Sequence, residues 1–197
     1  VGFVCATPVS PRTIPTNEVS SITSGLPQGI RTFLLTSELT AEGITQHIHT
    51  TAVSTVQIIS HLNLMESKRL AKLLPDTQRI QVIHIESESE LELIAQYSPY
   101  VNGFLLDSGR PNLPTPEYGG TGRTHDWAVS AEFVRLSPHP VFLAGGLSAD
   151  NVAEAIRVVR PAGVDICSGV RSDNRLDHDK LLAFISAVRG VDEHQSG

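Results

Sequence analysis

The stretch VFLAGGLSADNVAEAIRVVRPAGVDICSGV, residues 141–170, reads as a complete strand–helix–strand unit. VFLAGG is a short apolar run closed by two glycines. Val152, Ala155, Ile156 and Val159 then recur at helical spacing, and the stripe ends before Pro161. GVDICSG is a second strand, closed by a serine and a glycine. Its apolar residues run on rather than alternate, as expected for a strand covered on both faces. Strands joined through a helix in this way lie parallel, with a right-handed crossover.

The same unit recurs along the chain. Further strand-like runs are VGFVCA (1–6), RTFLLT (31–36), TVQII (55–59), RIQVIHI (79–85) and GFLLD (103–107). Between them, Leu70, Leu73 and Leu74 form a helical stripe that stops at Pro75. Ser87-x-x-Glu90 reads as a capping box ahead of Leu91, Ile94 and Ala95. Asp177 reads as the cap of a last helix carrying Leu181, Phe184, Ile185 and Val188 on one face. Seven strands alternating with helices define the α/β class. An open doubly wound sheet and a TIM-type (β/α)8 barrel both satisfy this order. Even spacing, and ligand-type loops after several different strands, favour the barrel. Residues 1–190 are expected to form its single domain, with 191–197 as a tail. Such a barrel needs eight strands, so one βα unit is expected upstream of Val1.

Composition narrows the function classes. With 197 residues, 40% of them hydrophobic and 18% charged, the chain can bury a sizeable core. Its net charge is −6 and it has no run of Lys and Arg, which argues against a nucleic-acid partner. No apolar stretch approaches the length of a membrane span. Cys5 and Cys167 lie in apolar runs and read as buried, reduced thiols, as in a cytoplasmic protein. No pattern in the sequence sets an oligomeric state.

In a barrel the active site lies at the C-terminal ends of the strands. Arg12, in PVSPRTIP, offers a planar fork of donors for a carboxylate or phosphate; otherwise it is a solvated loop arginine. Asp107 closes the apolar run of residues 104–107. A carboxylate there is costly to bury unless used, and a raised pKa would suit a general acid; the competing reading is a turn residue. The connection 108–125 is long, carries Gly119, Gly120 and Gly122, and leads to His125, Asp126 and Trp127. Asp126 reads as the N-cap of the next helix and His125 as a loop residue without chemistry. Gly145 and Gly146, then Ser168 and Gly169, follow the last two strands, where phosphate docks on backbone N–H groups.

Together these residues resemble the phosphoribosylanthranilate isomerase family of tryptophan biosynthesis. GFV…SPR, VQ, LLDS, GGTGRTHDW, LAGGLSADNV and VDICSGV occur in that family's order and spacing, over nearly the whole chain. The resemblance implies a (β/α)8 barrel with no metal or organic cofactor, acting on a small phosphorylated substrate. The implied reaction is the Amadori rearrangement of N-(5-phosphoribosyl)anthranilate to 1-(2-carboxyphenylamino)-1-deoxyribulose 5-phosphate. It implies Asp107 as general acid, and Arg12 as a residue that holds the anthranilate carboxylate or steers the substrate. Gly120, Gly145, Gly146, Ser168 and Gly169 would surround the phosphate. Asp165, at the same strand parity as Cys167, is expected to face the interior and to contact substrate.

Two departures stand out. The family's base is a cysteine in a Lys-Ile-Cys-Gly-like segment on its first strand, and the 197 residues contain no such segment. Cys5 is not its equivalent, because it belongs to the strand preceding the Ser-Pro-Arg loop. By themselves the 197 residues are therefore expected to lack turnover. Ile59 and Ser60 stand where the family carries His-Gly. These departures keep two alternatives open: a non-catalytic phosphate-ligand-binding barrel, and a different phosphosugar isomerase or lyase on the same fold.

Overall fold

The runs of β-branched and aromatic residues form seven strands: β1 (Gly2–Val4), β2 (Phe33–Thr36), β3 (Thr55–Ile58), β4 (Gln78–His84), β5 (Gly103–Asp107), β6 (Val141–Leu143) and β7 (Gly163–Val164). The structure is a computed structural model describing residues 1–5, 7, 10, 12–109 and 125–195. The strands follow one another across a single sheet in chain order, each hydrogen-bonded to the next. The register places Phe3 beside Leu34, Leu34 beside Val56 and Val56 beside Arg79 in parallel pairs. Seven helices intervene or follow: α1 (Thr16–Ser24), α2 (Ala41–Thr51), α3 (Leu64–Leu73), α4 (Glu92–Tyr97), α5 (Trp127–Leu136), α6 (Val152–Val159) and α7 (His178–Gln195). Among the described residues, no helix is long and apolar enough to cross a membrane. The chain divides into two compact units, Val1–Val82 with Ala95–Phe104, and Ile83–Ile94 with Leu105–Gly197.

In the first unit, Phe3, Leu34 and Val56 share one face of the sheet, and with Cys5 and Ile58 they pack on Val19, Ile44, Ile48 and Leu70 of the helices. Burying each large aliphatic side chain contributes about 1.5–3 kcal/mol. The Cys5 thiol lies inside this cluster and packs as a small hydrophobe, as expected from its strand. Helix α2 starts at Thr40, whose Oγ1 accepts from the Gly43 N–H, and ends where Ala52 turns left-handed at φ 52. Asn63 caps α3, which stops ahead of Pro75. Leu70 and Leu74 are buried, but Leu73 is 43% exposed, so the α3 stripe is narrower than its three leucines suggest. The Arg79 guanidinium is buried as well: Nε donates to the Tyr100 carbonyl at 2.9 Å, and Nη1 to those of Leu74 and Thr77 at 2.7 Å.

In the second unit the capping box forms as expected. The Ser87 N–H donates to Glu90 Oε2 at 2.7 Å, and the Ser89 N–H to Ser87 Oγ at 3.2 Å. The box starts a 3₁₀ turn, Glu88–Leu91, that runs on into α4. Asp126 caps α5 through the Ala128 N–H, and Asp177 caps α7 through the N–H groups of Asp179 and Lys180. Leu106, Phe133, Leu143, Val152 and Ala155 are buried here. Two expectations fail. Cys167 is half-buried rather than buried. β7 stops at Val164, short of the run GVDICSG, and Cys167 sits at φ −133, ψ −68. A hairpin of β8 (Arg171–Ser172) and β9 (Arg175–Leu176) follows, turned by Asp173 and Asn174 at φ 50 and 61.

Candidate active site

Asp107 ends β5 and is half-buried. The strand tip that holds it is fixed on both sides: the Ile85 N–H donates to the Asp107 carbonyl at 3.0 Å, and the Ala144 N–H to that of Leu106 at 2.7 Å. The Ser108 N–H donates to Asp107 Oδ1 at 2.7 Å. Burial pushes the Asp107 carboxyl above the usual carboxylate range, and the Ser108 N–H and side chain draw it part of the way back. A carboxyl whose proton is held more tightly by burial is suited to the role of general acid.

The loop after β6 comes directly against Ser108. Gly145 is at φ 83, and a Cβ there would lie 2.7 Å from both the nitrogen and the Oγ of Ser108. Only glycine allows this backbone turn and this approach at once. Gly146 follows, also left-handed, at φ 64. After β7 the chain enters a 3₁₀ turn, Ser168–Val170, and Gly169 packs so closely on the Leu147 carbonyl that no side chain would fit. The tips of β5, β6 and β7 therefore meet at two glycine contacts, Ser108 with Gly145 and Leu147 with Gly169.

Asp165 lies just past β7, its N–H donating to the Leu143 carbonyl at 2.8 Å. Burial, then the charge of Asp107, push its carboxyl upward. The residue as a whole is open to solvent, which screens part of that shift. The two carboxyls are close enough to sense each other. Asp107, Asp165, Gly145, Gly146, Ser168 and Gly169 all belong to the second unit. Gly120 lies outside the described residues, with Gly119 and Gly122. Arg12 belongs to the first unit and is half-buried. Its N–H donates to Ser10 Oγ at 3.3 Å, and its guanidinium makes no ion pair among the described residues.

Three residues carry more than the sequence suggested. His125 is no idle loop residue: its Nε2 lies 2.7 Å from Ser130 Oγ on α5. Burial, against the pull of Asp126, lowers its pKa to about 4, so it is neutral. Ser130 is fully buried, which makes the pair structural rather than nucleophilic. Ser108 and Asn151 shape the loops around Asp107. The only sequence signals for them were a serine after the strand-closing carboxylate and an asparagine at a helix start.

The model of the N-(5′-phosphoribosyl)anthranilate (PRA) isomerase family matches residues 9–187. An N-(5′-phosphoribosyl)anthranilate isomerase from Methanocella arvoryzae is 33% identical over 190 residues, covering 96% of this chain and 87% of its own. The phosphoribosyl anthranilate isomerase structure from Thermotoga maritima superposes with a TM-score of 0.80 at 28% identity, covering 96% of this chain and 87% of that one. A solved isomerase in complex with reduced 1-(o-carboxyphenylamino)-1-deoxyribulose 5-phosphate superposes at 0.77 with 26% identity, over 96% and 86%. The fold is thus of the TIM-barrel type rather than an open doubly wound sheet. The chain belongs to the PRA isomerase family.

Proposed function

We propose that this chain, in a barrel that also supplies the base, catalyses the Amadori rearrangement of N-(5′-phosphoribosyl)anthranilate to 1-(2-carboxyphenylamino)-1-deoxyribulose 5-phosphate, a step of tryptophan biosynthesis. The observation that carries this reading is Asp107: a half-buried carboxyl, shifted upward by burial, at a strand tip and in contact through Ser108 with the glycine loop that follows β6. As the C1′–O bond of the ribose ring breaks, its electron pair goes to the ring oxygen, which takes the Asp107 proton. The lone pair of the anthranilate nitrogen forms the C1′=N bond. A base then removes the proton at C2′, and those electrons form the C1′=C2′ bond of the enol and neutralise the nitrogen. Protonation at C1′ as the enol becomes the ketone completes the product. Substrate and product are isomers, so no oxidant or reductant enters. No described residue is assigned as the base.

Gly145, Gly146, Ser168 and Gly169 receive the phosphate on their backbone, and the left-handed turns at the first two leave room for an anion beside bare peptide. Asp165 contacts substrate next to the acid, and Arg12 takes the anthranilate carboxylate. The two cysteines form no disulfide among the described residues, which supports a cytoplasmic setting. Asp107→Asn keeps the shape of the side chain and removes the transferable proton. Measured in a barrel completed with the family's first βα unit and its cysteine, it should lower kcat by roughly 10²–10⁴-fold, the usual worth of a positioned general acid. Affinity for the reduced product analogue should stay within about threefold. A variant that turned over at near-normal kcat would show that Asp107 is not the acid.

A further inference from the structure

Asn151 stands immediately before Val152, where asparagine ranks among the best helix caps. Its side chain makes no cap bond to the N–H groups after it. It folds back instead: Nδ2 donates to the Gly146 carbonyl at 3.0 Å, and Oδ1 accepts from the Ser148 N–H at 2.8 Å. The helical turn opens at Ser148, whose carbonyl accepts from the N–H groups of Asn151 at 3.3 Å and Val152 at 3.0 Å, so the Oδ1 bond closes the helix start while the Nδ2 bond reaches the glycine loop.

These two bonds have a geometric consequence. In a trans peptide the C=O and N–H of one unit point in opposite directions, and the described chain has no cis bonds. Tethering the Gly146 carbonyl to Asn151 therefore turns the Leu147 N–H, in the same peptide, away from Asn151. Tethering the Ser148 N–H likewise turns the Leu147 carbonyl away, and that carbonyl is the atom packed on Gly169. One side-chain amide thus sets two successive peptide planes, one carrying a donor of the first lobe and the other the contact to the second. Among the described residues, nothing accepts from the N–H groups of Gly145, Gly146 or Leu147. We propose that Asn151 is a positioning residue for the substrate's phosphate. It presents the Leu147 N–H to the anion and seats the Ser168–Gly169 lobe against the Leu147 carbonyl. The proposal rests on the reading of these loops as the phosphate site.

The test is calorimetric titration of wild type, Asn151→Ala and Asn151→Asp with two ligands, reduced 1-(o-carboxyphenylamino)-1-deoxyribulose 5-phosphate and its dephosphorylated counterpart. Asn151→Ala should weaken the phosphorylated ligand by about tenfold or more, while the dephosphorylated one changes by less than about twofold. Asn151→Asp is isosteric, keeps the acceptor for the Ser148 N–H, loses the donor to Gly146 and adds charge. It should lose at least as much, and it supplies the answer if the alanine variant does not fold. Equal loss for both ligands would mean a purely structural role, and no loss would mean none; either overturns the proposal. A wild type that binds neither ligand, or does not distinguish them, overturns the phosphate reading itself and this inference with it.

Discussion

At the scale of single residues, burial decides behaviour more than residue type does. His125 in an unfolded chain protonates near its ordinary 6.5, but in the fold only near about 4. Between those values the unfolded state binds the extra proton, so the His125 contribution is complete above pH 6.5 and shrinks as the pH falls towards 4. Over the whole window it amounts to at most about 3 kcal/mol. Asp107 and Asp165, both raised, act with the opposite sign, since the folded state holds their protons more tightly as the pH falls. The difference between wild type and His125→Phe isolates the histidine. Urea unfolding between about pH 7 and 4 should show the wild type losing stability relative to the variant, and parallel curves would refute the assignment. Asp107 stood out in the sequence as a carboxylate closing an apolar strand, where a turn residue reads the same way; only the fold shows that burial raises it. Ser108 and Asn151 did not stand out, because their partners are set by left-handed turns at Gly145 and Gly146 that composition does not disclose.

At the scale of elements, strands were easier to read than helices. Every apolar run became a strand, since two covered faces demand continuous hydrophobic sequence. Helices α1 and α2 carried no clear stripe. In α2 the hydroxyls of Thr45, Thr50 and Thr51 bond back to the carbonyls of Ala41, Gln46 and His47, so packing rather than propensity holds a threonine-rich segment helical. The β8–β9 hairpin was hidden because Asp173 and Asn174 replace the glycine that usually announces such a turn. Arg79 is the clearest case of an element junction held by one residue. Its guanidinium gathers the carbonyls of Leu74 and Thr77, past the end of α3, and that of Tyr100 before β5. Arg79→Met fills similar space but strands three acceptors, and should cost roughly 2–4 kcal/mol in urea unfolding. Arg79→Lys keeps the charge without the fork and should recover less than about half of that. A methionine variant within about 0.5 kcal/mol of wild type would mean that these carbonyls find water instead.

At the scale of the whole molecule, a chain of net charge −6 is proposed to bind a phosphorylated, carboxylated substrate. Its overall field opposes that ligand, so on this proposal affinity has to come from short-range donors, the peptide N–H groups of the loop that carries Gly145, Gly146 and Asn151. The two contributions respond differently to salt. Long-range repulsion is screened over a Debye length of about 10 Å at 0.1 M, whereas peptide donors in contact with the anion are screened much less. Raising ionic strength from roughly 20 to 200 mM should therefore speed association of the reduced product analogue by about twofold or leave it unchanged. The dissociation rate should hardly move. A site built on a cluster of lysines and arginines would do the reverse, its association slowing steeply with salt. Stopped-flow association at a series of chloride concentrations reads this directly. A steep fall in the association rate would place the anion on cationic side chains rather than on the glycine loops.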